Sequence, residues 1–282
     1  MSFSILNNIP SLEAENSLSI TQASLQQTLV QLSTGSRINS GADDAAGLAI
    51  ADGLHANEVA LQQSSNNTQD GIGKLQVADG ALSQVTTLLD RAITLATEAA
   101  NGLVTSTQAT ALDNEFTKIK DEITNIGNNT TFNGSSVFNT STTSIFISDA
   151  SSNYTIIVEV NNLSAGTING SSAAGLAVAS LTADALTSAS GAAGALSDIN
   201  AALVNIASKR GEIGAVVNQL QAANNIINTQ VQNLTSAEDN IRSANIAQVV
   251  GNLSRFNILN QTGISALAQA NSSQQAVLSL LR

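Results

Sequence analysis

The residues in this chain that could do chemistry are few and far apart. Asp43 and Asp44 stand side by side, the residue types of a carboxylate acid–base pair, but no neighbouring base, metal ligand or nucleophile accompanies them. Two acids in a row suit the positive end of a helix better. His55 is the only histidine and cysteine is absent, so histidine–metal clusters, thiolate nucleophiles, disulfides and multi-histidine triads have no material. Gly71-Ile-Gly73 lacks the third glycine and the preceding strand of a phosphate cradle, and reads instead as room for a close helix contact. Asn133-Gly-Ser and Asn153-Tyr-Thr have the form of N-glycan acceptors, but such triplets arise by chance in a chain so rich in Asn and Ser. These residues predict no catalytic site, no cofactor and no metal. The chain reads as structural and not as an enzyme.

The elements carrying these residues are long helices. Pro10 is the only proline, so the strongest helix breaker is missing from everything beyond it. Leu196, Ile199, Leu203, Ile206, Arg210, Ile213, Val217, Leu220, Asn224, Ile227, Val231, Leu234, Glu238 and Ile241 step by three and four without a slip, a heptad seam. Such a helix spans roughly 70 Å at about 1.5 Å per residue. Its polar members Arg210, Asn224 and Glu238 recur every second heptad, where a polar seam residue costs stability but sets register. A matching seam runs through Ile72, Leu75, Asp79, Leu82, Thr86, Leu89, Ile93, Ala96 and Ala100, on a helix starting near Asp43–Asp44 and ending near Asn101-Gly102. A third helix is expected from about Thr107 to Ile126, closing at Gly127-Asn128-Asn129. Ser144–Ser148 and Tyr154–Val160 are β-branched and partly alternating around the polar turn Asp149–Asn153, a hairpin signal. From Leu163 to Gly194 the composition predicts loops, short strands and one short helix. The expected fold is mainly α: a long antiparallel coiled-coil-like helical bundle with a small β-hairpin region in the middle.

The two ends carry stripes with no core beside them: Leu18, Leu25, Leu29 and Leu32 at the front, and Leu253, Phe256, Leu267, Ala270, Val277 and Leu281 at the back. Each stripe predicts pairing with the other or with a second chain. Glu13, Glu15 and Arg37 at the front, against Arg242, Arg255 and Arg282 with no acid at the back, would favour the first. Composition supports a surface made for burial. Hydrophobic residues reach 43% but aromatics only 2%, which suits thin helix seams over a thick globule, and only 11% of residues are charged. Net charge is −11 and no Lys or Arg occurs from Asp121 to Ser208, which argues against nucleic acid. No stretch approaches the ~20 apolar residues of a membrane span, and the first ten residues lack the basic and apolar regions of a signal peptide.

Leu32-Ser-Thr-Gly-Ser-Arg-Ile-Asn-Ser40, Asp43-Asp-Ala-Ala-Gly-Leu-Ala-Ile50 and Asn67-Thr-Gln-Asp-Gly-Ile72 resemble the N-terminal signature of bacterial flagellins, continued by Asn101-Gly102 and Thr131-Phe-Asn-Gly134. Asn233-Leu-Thr-Ser-Ala237, Leu253-Ser-Arg255, Ala266-Leu-Ala-Gln-Ala-Asn271 and Val277-Leu-Ser-Leu-Leu-Arg282 resemble the family's C-terminus. The resemblance implies a short form without large variable outer domains, polymerising into the extracellular flagellar filament of a motile bacterium. It implies residues 1–40 and 242–282 as the two halves of an inner core, with a spoke in the first. Residues 41–140 and 195–241 would be the helices of the next domain, and 141–194 its hairpin and loops. It further implies export as an unfolded chain with no cleaved signal, a chaperone on the C-terminal helix, junction and cap proteins as partners, and terminal segments that order on polymerisation. O-linked sugars within 140–194 and an innate-receptor patch at Arg91, Leu95 and Glu115, with Thr94 where the family usually has Glu, are implied likewise. A hook–filament junction protein shares similar termini; a coiled-coil surface adhesin or stalk is the alternative of another class.

Overall fold

The structure, a computed structural model, describes residues 8–139, 143–148, 153–158, 160 and 185–280, with Asn153 and the last five for their backbone alone. The helices are α1 (Ile9–Thr34), α2 (Ala45–Ala99), α3 (Ser106–Asn129), α4 (Ala189–Arg242) and α5 (Ile246–Leu280). The strands are β1 (Thr131–Phe132), β2 (Ser135–Ser136), β3 (Thr143–Ser148) and β4 (Asn153–Val158). The chain is mainly α with a small β region, as the heptad seams and the hairpin signal predict. By contacts it divides into one compact unit of Met1–Ala56 with Gln232–Arg282 and another of Asn57–Val231.

Local chemistry sets the helix ends. The Asn8 side chain accepts from the Ser11 N–H at 3.1 Å, Pro10 occupies the first turn of α1 where a missing N–H costs nothing, and Gly35 closes the helix at φ 69°. Asp44 Oδ1 accepts from Gly47 N–H at 2.9 Å and so caps α2. Asp43 faces the other way: its Oδ2 accepts from the backbone N–H groups of Asn39 and Ser40. These N–H groups, Asn39 first, hold its pKa below the ordinary carboxylate value. The adjacent acids therefore brace a turn and a helix start. Thr105 and Gln108 form a reciprocal capping box for α3. That helix runs through Gly127, which is buried, and ends where the Thr130 N–H and hydroxyl both reach Ile126 O. α4 begins at Ala189 and not near residue 195, because Ser188 Oγ accepts from Gly191 N–H at 3.1 Å and supplies an N-cap.

In the second unit, α2, α3 and α4 share a core of aliphatic side chains and one aromatic. Leu75, Leu82, Leu89, Leu95, Phe116, Ile123, Ile199, Ile206 and Leu220 are fully buried. The α2 seam differs from the one expected. Leu75, Leu82, Leu89 and Ala96 are buried, but their companions are Gly71, Ala78, Val85, Ala92 and Ala99, while Ile72, Asp79, Thr86 and Ile93 are only half-buried at its flank. Small residues at alternate steps let neighbours approach, which a pattern scored on large apolar residues does not register. In α4, Ile199, Ile206, Ile213, Leu220 and Ile227 form the buried line, one residue per heptad.

β3 and β4 pair antiparallel with Ile145 opposite Ile156 and Phe146 opposite Thr155. Ile145, Ile147, Ile156 and Val158 face inward; Phe146 and Ile157 face out. Side chains of α2 hold β3. Ser64 Oγ donates to Ser148 O (2.8 Å) and accepts from Ser148 N–H (2.9 Å), Asn67 donates to Phe146 O (3.1 Å), and Lys74 donates to Thr143 Oγ1 (2.6 Å). Between them Gly71 makes room for the Ile145 methyl end: a Cβ there would overlap Ile145 Cδ1, and one at Gly73 would meet the Phe132 ring at 3.4 Å. The close approach expected at Gly71 and Gly73 is thus made mainly by strand side chains, with Leu220 Cδ1 of α4 also 3.5 Å from where a Cβ at Gly71 would stand. β1 and β2 pair through an Asn133–Gly134 turn with both φ positive, 48° and 74°. The expected turn at 149–153 and the loops of 163–184 lie almost wholly outside the described residues.

Candidate functional site: the paired terminal helices and the polar seam

In the first unit α1 and α5 pair antiparallel. Asn8 donates to Ala270 O and Asn271 Oδ1, and Ser11 Oγ donates to Asn271 Oδ1 at 3.1 Å. Leu18 lies over Gly263, 3.2 Å from where a Cβ would stand. Beyond the other end of α1, Arg37 N–H reaches Arg242 O and Ala244 N–H reaches Gly35 O, and the Arg37 Nη2 donates to Ile241 O at 2.7 Å. Among the described residues no ion pair joins Glu13 or Glu15 to Arg255, so amides and hydroxyls make the contact that charge bias suggested.

The stripe residues fall unevenly. Leu18, Leu25, Leu32, Leu253, Phe256 and Leu267 are half-buried, but Leu29 is 47% exposed. The side chain of Val277 and all of Leu281 lie outside the described residues. Of the described side chains in α1 and α5, Ser11, Thr28 and Val249 are the buried ones. Ser11 and Thr28 are short and polar: Ser11 donates to Asn271 Oδ1 on α5, and Thr28 to Ser24 O on its own helix. Meanwhile Ile9, Leu12, Ile20, Val30, Ile246, Ile258 and Ile264 stay exposed, several near 60%. Two helices cannot cover stripes this broad. Hydroxyls on the same helices bond back to their own backbone, among them Thr21 to Ser17 O, Ser24 to Ile20 O, Thr262 to Ile258 O and Ser265 to Gln261 O. Burying this surface therefore strands few polar groups.

Each polar seam residue of α4 meets a polar group on α2. Arg210 pairs with Asp79, whose hydrogen bond raises the guanidinium pKa above its ordinary value. Asn224 Nδ2 donates to Ser65 O (3.3 Å) and Oγ (3.2 Å). In the first unit, Glu238 Oε2 lies 3.4 Å from His55 Nδ1, and its Oε1 accepts from Arg242. The partners Ser65 and His55 carried no heptad signal; scanning α2 for polar residues in register with α4 is the pattern that finds them.

The three residues of the implied receptor patch separate. Arg91 and Glu115 are exposed and form an ion pair at 2.7 Å across α2 and α3. Leu95 is 1% exposed and belongs to the core, so its side chain offers no surface in this chain; one turn of α2 carries Arg91 outward and Leu95 inward.

Long helices, a pair of terminal helices with its aliphatic surface left open, and hydroxyls that need no outside partner define a self-assembling helical subunit. A family model for the bacterial flagellin N-terminal helical region matches residues 5–143, and one for the C-terminal helical region matches residues 196–281. The chain belongs to the bacterial flagellin family. It is 33% identical to a flagellin of Halalkalibacterium halodurans and 34% identical to one of Bacillus subtilis, each alignment covering 99% of both chains. It is also 30% identical to the flagellar filament 33 kDa core protein of Treponema phagedenis, again over 99% of both. The crystal structure of Bacillus cereus flagellin superposes with a TM-score of 0.50 at 30% identity, covering 61% of this chain and 94% of that one.

Proposed function

We propose that this chain is the structural subunit of a bacterial flagellar filament, polymerising through copies of itself outside the cell. The observation that carries the reading is the α1–α5 pair, whose described apolar side chains, Val249 apart, remain wholly or partly open to water. Fully burying an Ile or Leu is worth about 1.5–3 kcal/mol, so a surface with many of them favours association until it is covered. Relatives named as flagellar filament core proteins support the same polymer.

Residues 1–40 and 242–282 then form the filament's inner core, with Leu18, Leu25, Leu32, Leu253, Phe256 and Leu267 as contact stripes. Arg210, Asn224 and Glu238 set the register between α2 and α4. A chaperone covering the C-terminal helix before export answers the same exposed stripe, as does passage of the chain in unfolded form. Junction and cap proteins at the filament ends would meet the surfaces that the subunits offer one another. The test is negative-stain microscopy of the purified full-length protein, seeded or salted out. Micrometre filaments are expected, and a chain that stays monomeric under all such conditions defeats the reading.

A further inference from the structure

The two terminal helices carry almost no charge. Glu13 and Glu15 are the only ionisable residues of α1, and Arg255 is the only one of α5. Glu13 lies in one row with Ile9 and Ile20, both exposed, while Glu15, two residues on, points to another face. Arg255 lies in one row with Ile258 and Leu259 of the next turn, exposed as well. Among the described residues neither Glu13 nor Arg255 has an ion-pair partner in its own chain, whereas Arg242 pairs with Asp52 and Glu238. Register explains why. The antiparallel pair sets Asn8 against Asn271 and Leu18 against Gly263, which puts Arg255 opposite the neighbourhood of Leu25. Glu13 is then about twelve residues away, roughly 18 Å along the axis and well beyond a screening length of about 8 Å.

We propose, resting on the filament reading above, that Glu13 of one copy pairs with Arg255 of a second copy of this chain. Covering the exposed rows draws both charges partly out of water, where a lone carboxylate or guanidinium costs far more than a paired one. Each row therefore holds one charge that its own chain leaves unmatched and that the other row complements. The acid and the arginine stand on different helices, so parallel copies repeat the contact along a polymer. They meet when neighbouring rods are staggered by roughly 18 Å, the distance that separates them within a chain. A pair at the edge of such a row stays partly screened, so it favours that stagger without enforcing it.

The experiment measures the critical concentration for seeded growth of the full-length chain and of its charge-reversed variants. Glu13→Arg and Arg255→Glu should each raise it by about threefold or more at low salt, and by much less in about 0.5 M salt. The double variant, which restores the pair with its signs exchanged, should return close to the wild-type value. Glu15→Arg changes net charge equally from another face and should have little effect. Given wild-type filaments, single variants that grow normally, a double variant as poor as the singles, or a Glu15→Arg as costly as Glu13→Arg would each overturn the contact. A wild-type chain that never forms filaments defeats the filament reading itself, and the contact with it.

Discussion

The Arg210 guanidinium lies side-on to the Asp79 carboxylate, with Nε 2.8 Å from Oδ1 and Nη2 3.4 Å from Oδ2, on a seam otherwise lined by Ile206, Ile213 and Leu220. Both side chains are more than a third exposed, so water screens the pair. Arg210→Leu is expected to change unfolding free energy by less than about 1 kcal/mol. It should also reduce the salt dependence of thermal unfolding. A loss of several kcal/mol at moderate salt would show that the pair is far less screened than its exposure implies.

Asn224 presents the opposite case, because its partner Ser65 is only 3% exposed. Asn224→Leu adds apolar area but strands a buried hydroxyl, and the two effects of about 1–2 kcal/mol should nearly cancel. Asn224→Leu with Ser65→Ala removes both polar partners and is expected to stabilise. A denaturation double-mutant cycle measures the coupling, and strictly additive single effects would contradict it.

Gly71→Ala places a methyl group against Ile145 Cδ1. The expected cost is about 1–3 kcal/mol, the range for overpacking a filled site. Ile145→Val removes the colliding carbon and should restore part of that loss in the double variant, read by thermal unfolding. Without any rescue, the collision lies elsewhere.

The pKa of Asp43 is lowered in the folded chain by the Asn39 and Ser40 N–H groups. A depressed carboxylate adds stability above its unfolded value near 3.8 and loses it as pH falls through the folded value. Amide exchange at Asn39 and Ser40 should therefore stay slow at pH 5 and accelerate below 3.8, and Asp43→Asn should abolish the step. A step above that pH would reverse the sign of the shift.

Leu18 packs against Gly263, so Gly263→Leu should push α1 from α5 while leaving the residues of the second unit untouched. The critical concentration for seeded filament growth is expected to rise by about tenfold or more, equivalent to ~1.4 kcal/mol per added subunit. Unimpaired elongation would remove the α1–α5 contact from the assembly.

Much of this fold is legible in the sequence because helices advertise themselves by period. The α4 seam from Ile199 to Ile227 is buried at the expected heptad step, and the β3–β4 alternation is real. What periodicity misses is which neighbour a residue faces. Ala78, Val85 and Ala92 are core while Ile72 and Ile93 are flank, because α3 and α4 together cover α2 from a direction that no single-helix pattern contains. Leu95, which the family resemblance places in a receptor patch with Arg91, is core as well. The β1–β2 turn is written in Asn133-Gly134, residue types that favour positive φ at both positions, although the same residues also belong to the family motif. At the ends the leucine stripes are plain, but the burial of Ser11 and Thr28 is not, since short polar residues carry no apolar signal.

The hydroxyls of Thr21, Ser24, Thr262 and Ser265, each already satisfied by a carbonyl of its own helix, bear on what a crowd of such helices can do. A surface whose polar atoms ask nothing of their surroundings fixes how near two rods come without dictating how far one is offset along the other. Neighbouring offsets then differ little in energy. A lattice built from such rods has several almost equivalent arrangements open to it, and a small torque or a change of solvent suffices to choose among them.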